Sequence, residues 1–402
     1  MMESLEELDS QLKKAKSRLF YFYGKPDIVL KKILERHEDI EAVYVNADYT
    51  PYSIKRDKAL KQVCDRLEVE FHSTEDLLLN PVGSITTGGG KIYSKFTPYY
   101  NQAKKKSVPK PQTSTPKNFI SSSSGPKGTY TGSPKSFYKH NPHLIRKGGR
   151  SNGLKILASL KPFKKYNSMR NCLNYRTTEL SAYLKFGCIS IREAYHSFNS
   201  KLGTRNDLIK QLYWRDFYHN ITYGFPHVIG GPMKKQYSKL KWDNNPTHFK
   251  RWKEGNTGFP IVDAAMRSMN KTGFMHNRAR MIVSSFLIKI LLTDWRKGEK
   301  YFAQTLMDYD VHNNNGGWQW SASTGADSQP YFRIFNPWLQ GEKFDPKATY
   351  IKKWIPELAD VPAKHIHQWD KFHKEHKVKY PEPIVDYAKN KEESIKRYKK
   401  VT

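Results

Sequence analysis

Asp308-Tyr309-Asp310-Val311-His312-Asn313-Asn314-Asn315-Gly316-Gly317-Trp318-Gln319-Trp320 is the densest run of chemistry in this 402-residue chain. Two carboxylates, three asparagines, two glycines and two indoles are an unfavourable set to bury without a ligand. Trp318 and Trp320, two apart, line one side only if the chain is extended. On a helix one faces inward and the other can face a substrate. A Gly-rich turn between core aromatics is the plain alternative.

Working outward, Met275-His276-Asn277-Arg278-Ala279-Arg280-Met281 opens a helix that continues through the apolar Phe286 to Leu292. Asn277 and Met281 share a face at i, i+4 and suit a pocket, while Arg278 and Arg280 point elsewhere. One of these arginines then serves a phosphate and the other a buried carboxylate. In the predicted helix Leu208 to Ile221, Gln211, Trp214, Arg215 and Tyr218 fall at i, i+3, i+4 and i+7. That face is either an interface stripe or a surface for base stacking and phosphate contact. Thr177-Thr178-Glu179-Leu180-Ser181 precedes an apolar run from Ala182. It places hydroxyls and free N–H groups at a helix start, as any N-cap does and as a phosphate site requires.

The chain around these motifs is strongly basic: 69 Lys and Arg against 38 Asp and Glu, a formal charge of +31. Such a field attracts polyanions, and nucleic acid is the leading partner class, ahead of a solvated lysine-rich surface. Cys64, Cys172 and Cys188 lie far apart without a C-x-x-C, so neither a disulfide framework nor a cysteine zinc site is supported. His365, His367, His373 and His376 read as surface histidines, and no metal site is expected. With no signal-like start and no run of 18 apolar residues, a soluble intracellular protein is expected, without a membrane partner; a nucleus or another DNA-containing compartment is compatible.

Residues 1–80 alternate helical and strand-like periods, the pattern of a parallel α/β sheet. Helices are predicted over Ser4 to Lys16, Pro26 to Arg36 and Ile54 to Leu67, and strands over Arg18 to Tyr23, Ala42 to Asn46 and Val69 to His72. A sheet that opens on a helix is expected to lack its first strands. Thr86-Thr87-Gly88-Gly89-Gly90-Lys91 fails as a phosphate loop, because Ile85 and Ile92 occupy positions that need Gly and Ser/Thr. Residues 101–150 hold eleven Lys and Arg and no Asp or Glu, and they surround Ser121-Ser122-Ser123-Ser124-Gly125-Pro126. A mobile basic linker is expected there, over 101–152. The predicted organisation is thus 1–100 α/β, 101–152 linker and 153–402 helical.

Taken in order, these motifs resemble the DNA photolyase and cryptochrome family. The resemblance includes Trp252-Lys253-Glu254-Gly255-Asn256-Thr257-Gly258-Phe259-Pro260-Ile261-Val262-Asp263-Ala264-Ala265-Met266-Arg267 and Tyr331-Phe332-Arg333-Ile334-Phe335-Asn336-Pro337. Asp48-Tyr49-Thr50-Pro51 and Phe96-Thr97-Pro98 are similar to the family's first domain. The resemblance implies a Rossmann-like α/β antenna domain, here incomplete, followed by an all-α FAD-binding domain. It implies light-driven repair of cyclobutane pyrimidine dimers, with reduced FAD passing an electron to a dimer flipped out of DNA. Tyr166 and Thr177, Thr178, Glu179, Leu180 and Ser181 would bind the cofactor's phosphate region. Arg280 would pair with Asp308 near the flavin, Tyr309 and Asp310 would serve the adenosine side, and Asn314 would face flavin N5. Trp242, Trp295 and Trp318 match an electron-transfer chain. Trp214 and Trp320 would wall the dimer, with Gln211, Asn277 and Met281 around it and Arg215 and Tyr218 on the same helix as Gln211. Arg170, Arg278, Arg333 and Gln340 would hold the DNA backbone.

Asn277 and Met281, where the (6-4) enzymes and animal cryptochromes carry histidines, place the chain with class I cyclobutane-dimer photolyases. Gln211 departs from that class's usual glutamate, and Leu208 stands where some members have a tryptophan. Ordinary members begin with further strands, so a separate polypeptide supplying them is an expected partner, and the second antenna chromophore is unassigned. The alternatives are a cryptochrome-like photoreceptor without repair and an inactive truncated photolyase.

Overall fold

The computed structural model describes residues 1–112, 116, 118–126 and 134–402. Its helices of eight residues or more are α1 Met2–Lys14, α2 Pro26–Leu34, α3 Pro51–Arg66, α4 Phe96–Ala103, α5 Arg150–Ala158, α6 Ile191–Leu202, α7 Asp207–Gly224, α8 Pro246–Glu254, α9 Pro260–Thr272, α10 Asn277–Ser285, α11 Trp295–Thr305, α12 Val311–Ala322, α13 Pro337–Phe344 and α14 Tyr387–Lys399. The two strands are β1 Ala42–Asn46 and β2 Glu70–Thr74. They pair in parallel, from Ala42 opposite Glu70 to Asn46 opposite Thr74. A parallel pair needs a crossover, and α3 supplies it. Its start is set by Pro51 at the first turn and by Thr50, whose hydroxyl accepts the Ser53 N–H at 3.1 Å.

The β1 strand forms over the predicted residues, but Arg18 to Tyr23 does not become a strand. Its backbone is used elsewhere: the Leu19 N–H donates to the Asp9 carboxylate at 2.8 Å, which removes a ladder donor. The basic linker expected over 101–152 lies outside the described residues at 113–115, 117 and 127–133. Its described C-terminal part is not free. The Ile145 N–H donates to Thr272 O at 3.2 Å, Gly149 N–H to Ser4 Oγ at 2.9 Å and Ser151 N–H to Glu7 at 2.9 Å. Side chains on α1 thus satisfy backbone donors that a mobile arm would give to water.

Two apolar clusters form the body. One gathers Trp252, Phe259, Met266, Phe286, Trp295, Trp318, Ile351 and Trp369, and the other gathers Phe96, Tyr99, Phe163, Tyr183, Phe198, Tyr213 and Phe217. Helix α7 is buried on most of its circumference. On one side Asp216 accepts the Leu79 and Asn80 N–H groups at 3.0 and 3.2 Å, and Asn220 accepts the Gly83 N–H at 2.9 Å. These bonds hold the segment after β2 against the helical body. Complete burial pushes the Asp216 carboxyl up to about 7.

Helix α12 packs against α7, α10 and α11. Glycines set two of these approaches. A Cβ on Gly316 would lie 2.0 Å from the Tyr218 ring of α7, and one on Gly298 of α11 would lie 2.1 Å from the Trp318 ring. Neither position has room for a methyl group, so α12 is seated between two neighbours by missing side chains.

The histidines near the C-terminus are packed rather than superficial. His365 stacks on Phe372 with centroids 4.1 Å apart and pairs with His376 at 2.8 Å, while His367 is buried. His365 and His376 thus pair their polar edges at half-buried positions, while His373 Nε2 is buried without a hydrogen-bond partner. Among the described residues no group of three His, Cys, Asp or Glu is placed to hold a metal. No helix among them is long and apolar enough to cross a membrane.

Candidate functional site

The run Asp308 to Trp320 folds as a loop followed by α12, which settles the geometry of its two tryptophans. Trp318 is buried against Phe302 and Trp252, with centroids 5.0 and 6.2 Å away. Trp320, 200° further round the helix, is half-buried beside Phe335. The inward and outward division expected of a helix is therefore present.

Asp310 caps α12, accepting the Asn313 N–H at 2.9 Å. Much of the remaining polar set is satisfied by the protein itself. Asn315 donates to Val228 O and Glu299, Gln319 donates to Val228 O and Gly231 O, and Asn314 donates to Glu299 O at 3.1 Å. Asp310 is the exception. Its Oδ2 is buried without a hydrogen-bond partner, as are His219 Nε2, His312 Nε2 and Arg215 Nη2. Burial alone would raise the Asp310 carboxyl. The cationic side chains around it, Arg215 and Lys185, outweigh that and hold it far below the usual carboxylate range. His219 is pushed well below the ordinary histidine value by burial, against the pull of Asp310. Its Nδ1 is 2.9 Å from Arg215 O and donates there, so its Nε2 is an acceptor. Two buried acceptors, 3.7 Å apart, thus face each other. An amino group bridging them, with two N–H donors, would satisfy both, and an adenosine carries one.

Next to this pair, Arg280 donates from Nη2 to both Asp308 oxygens, at 3.0 and 2.8 Å, and from Nε to Met275 O at 2.8 Å. Ser181 Oγ donates to Asp308 Oδ2 at 2.6 Å. Asp308 thereby joins three distant segments: the 177–181 loop, α10 and the start of α12. Of the two arginines on α10, Arg280 is the one that takes a buried carboxylate. Arg278 donates to Asn171 at 2.8 Å and lies over the Phe344 ring at 4.5 Å.

The 177–181 loop differs from the expected cap. The helix after it, Ser181–Lys185, has five residues, and its N-cap is Leu180 with no side-chain bond. Glu179 takes a positive φ of 54°. Its carboxylate is buried, with Arg146 at 2.6 Å and Arg176 at 3.2 Å. The hydroxyl of Ser181 is committed to Asp308 rather than to its own helix. Nearby, Tyr166 is buried and its phenol is pushed up to about 12, chiefly by that burial.

On the solvent side, His276 caps α10 by accepting the Arg278 N–H at 3.1 Å. Burial, then Arg278 and Arg280, hold it down at about 4, so at neutral pH it keeps the lone pair that caps. This presents Asn277, exposed, and Met281, half-buried, on the outer part of α10. Trp320 is packed beside Phe335, close to Arg278, which lies 5.9 Å from the same ring. Arg170 pairs with Asp207 at 3.2 Å, Arg333 is exposed, and Gln340 is half-buried with Oε1 lacking a partner.

The stripe on α7 is not one surface. Trp214 is stacked on Phe96 of α4, with centroids 3.6 Å apart and planes 6° from parallel. Arg215 is buried and donates to Leu77 O, and Tyr218 is packed against Gly316. Gln211 reaches only Asp207 O at 3.5 Å. Arg215 is therefore turned inward, and Tyr218, half-buried, lies against α12. Helical periodicity shows which residues share a face, but α7 is enclosed by several neighbours and each takes part of that face. Of the three tryptophans in the expected chain, Trp295 and Trp318 lie in one core cluster, and Trp242 packs on its edge and beside Tyr398, 6.4 Å away.

Sequence reading gave no role to His312 and Asp48, although both lie in quoted motifs, and it missed Lys185, whose Nζ is 3.7 Å from Asp310, Arg146, Glu299 and His219. No local pattern marks them, because each is brought to the site by a different element.

Comparison with known proteins agrees with this architecture. Residues 208–400 match the FAD binding domain of DNA photolyase, and residues 1–117 match DNA photolyase. The chain is 34% identical over 421 residues to the deoxyribodipyrimidine photo-lyase of Halobacterium salinarum, covering 100% of this chain and 87% of that one. Among solved structures, the archaeal photolyase from Sulfolobus tokodaii, determined with two FAD molecules, is similar at 40% identity and a TM-score of 0.85. The bacterial class III photolyase from Agrobacterium tumefaciens is similar at 33% identity and a TM-score of 0.91. Each comparison covers 100% of this chain and 87% of the other. The FAD expected from the sequence accords with the family match over the helical region.

Proposed function

The chain belongs to the DNA photolyase family, and from that premise we propose that it is a light-dependent deoxyribodipyrimidine photolyase acting on cyclobutane pyrimidine dimers in DNA. The observation that carries this reading is the adjacency of two arrangements on α10. Arg280 faces inward to the Asp308 and Ser181 junction, while Asn277, exposed, and Met281, half-buried, lie on the outer part of the same helix, whose Arg278 stands beside Phe335, the ring against Trp320. A cofactor held on the first face and a base held on the second would be separated by one helix width or less.

When bound, reduced FAD supplies a light-excited one-electron donor, and the protein's contribution is binding, orientation and exclusion of water. Arg280 and Ser181 fix Asp308 in one rotamer and so define one wall of the cofactor site. The unsatisfied Oδ2 of Asp310, with the lone pair of His219 opposite, selects a donor on the adenosine side. Thr177, Thr178, Leu180 and Ser181, with Tyr166, form the phosphate-side wall, and Glu179 acts by holding Arg146 and Arg176 there. Asn314, anchored through Glu299 O, presents its amide at the flavin. Trp320 offers an apolar wall to a flipped dimer, as Trp214 does with Phe96 backing it, and Asn277 and Gln211 offer amide donors. Arg170, Arg278, Arg333 and Gln340 bind the DNA backbone, while Trp242, Trp295 and Trp318 form a route for electrons through the core. The +31 charge speeds encounter with DNA and makes binding fall with salt.

The test uses the purified full chain, reconstituted with FAD and reduced, on an oligonucleotide carrying one cyclobutane dimer, in light and in darkness. Light-dependent restoration of the pyrimidines is expected. The Asn277→Ala variant should lose repair by roughly tenfold or more while keeping a full complement of flavin, since one buried hydrogen bond to substrate is worth about 1.4 kcal/mol. Bound flavin without light-dependent repair in the unmodified chain would overturn the enzyme reading. Loss of flavin in Asn277→Ala would overturn the division of α10 into two faces.

A further inference from the structure

Asp310 is not held by its own segment alone. His219 Nε2 approaches its Oδ2 at 3.7 Å, and the His219 ring lies against the His312 ring, with centroids 3.9 Å apart and planes 33° from parallel. Both imidazoles are essentially without solvent exposure. His312 is hydrogen-bonded at one nitrogen and faces a carboxylate with the other. Its Nδ1 shares a short hydrogen bond with Thr222 Oγ1, on α7, and its Nε2 faces Asp48 Oδ1 at 3.6 Å. Asp48 follows β1 and also accepts the Thr50 N–H at 3.1 Å. Burial would raise its carboxyl, but His312, Thr50 and Lys185 hold it below the usual carboxylate range. A continuous row of contacts therefore runs from the end of β1 through His312 and His219 to Asp310.

We propose that Asp48 and His312 are positioning residues that hold His219, and through it Asp310, in the orientation the adenosine side of FAD requires. The proposal rests on the reading of Asp310 as an adenosine-side contact. Its physical basis is that a buried imidazole with one free edge can tilt, and tilting moves an acceptor relative to the carboxylate opposite. His312 removes that freedom by covering the flat face of His219. Asp48, pinned by the turn into α3, in turn fixes His312. The α/β layer thereby contributes to cofactor selection without touching the cofactor. His219 and Asp310 would touch the ligand; His312 and Asp48 act through them.

The experiment compares FAD with riboflavin, which lacks the adenosine, as ligands of the full-length protein stripped of flavin. His312→Ala and Asp48→Asn should each weaken FAD by about tenfold, the equivalent of one well-placed hydrogen bond, and leave riboflavin affinity within about twofold. The pair combined should do little more than either alone, because both break the same row. His312→Gln, whose amide can reach both Thr222 and Asp48, should recover most of the affinity. Equal weakening of FAD and riboflavin, or no recovery in His312→Gln, would reduce the row to a packing feature and overturn the proposal. If His312→Ala does not fold, Asp48→Asn, at a half-buried position, decides the matter by the same ratio. Asp310→Asn separates the two readings. Unchanged FAD affinity there overturns the assignment of Asp310 itself. Weakened affinity there, with His312→Ala and Asp48→Asn unaffected, overturns the row alone.

Discussion

Replacing Arg280 by Met keeps its aliphatic length and removes three donated hydrogen bonds, two of them to the Asp308 carboxylate. Asp308 is 3% exposed at its side chain and would keep only the Ser181 hydroxyl among its side-chain partners. Breaking one side of a buried ion pair costs about 3–5 kcal/mol, because the remaining charge stays desolvated. Arg280 is itself 26% exposed, and water can reach the vacated end, so the lower limit applies. We expect Arg280→Met to lower the unfolding free energy of the flavin-free protein by about 3 kcal/mol in a urea titration. Asp308→Asn, which removes the charge and keeps an acceptor, should cost about 1–2 kcal/mol. The double variant should be more stable than the sum predicts by at least about 1 kcal/mol, the coupling of two groups in direct contact. The FAD dissociation constant of Arg280→Met should rise at least roughly tenfold. Additive effects of the two substitutions, or an Arg280→Met protein as stable as the parent, would refute the account of Asp308 as the junction of three segments.

Two further predictions concern the scaffold. The folded protein keeps a proton on Asp216 up to about pH 7, while the unfolded chain releases it near the ordinary aspartate value of about 3.9, so stability falls as pH rises through that window. Between pH 5 and 8 this group should remove on the order of 3 kcal/mol. Asp216→Asn should flatten that part of the urea-midpoint profile, and an unchanged slope would show that the carboxylate is charged throughout. Gly298→Ala would normally favour a helix by about 1 kcal/mol, but its Cβ would lie 2.1 Å from the Trp318 ring. A net loss of about 1–3 kcal/mol and a shifted tryptophan emission are expected, and a gain in thermal stability would mean that Trp318 does not pack there.

Much of the site was legible from residue types. Residue types gave only that one of Arg278 and Arg280 would take a buried carboxylate, the resemblance implied that it is Arg280 with Asp308, and of the extended and helical alternatives for Asp308 to Trp320 the helical one is what separates Trp318 from Trp320. Asn277 and Met281 share the outer part of α10 because that follows from a four-residue spacing alone. The stripe on α7 failed for a related reason. Spacing placed Trp214, Arg215 and Tyr218 together, but the neighbour on each side of α7 decided that one stacks on Phe96, one turns to Leu77 O and one fills the space above Gly316.

What the sequence determined by itself is local: helical and strand periods, caps such as Thr50 and Asp310, and a charge suited to nucleic acid. Such features depend on neighbours a few residues apart, and those are fixed by the chain. What only the tertiary structure decided is which distant groups share a buried space. Ser181, Arg280 and Asp308 meet across the fold. So do Asp48, His219, His312 and Asp310, drawn from the end of β1 and from two helices. Burial gives those encounters their consequence, because a carboxylate or imidazole removed from water takes its protonation and orientation from whatever the fold brings opposite it.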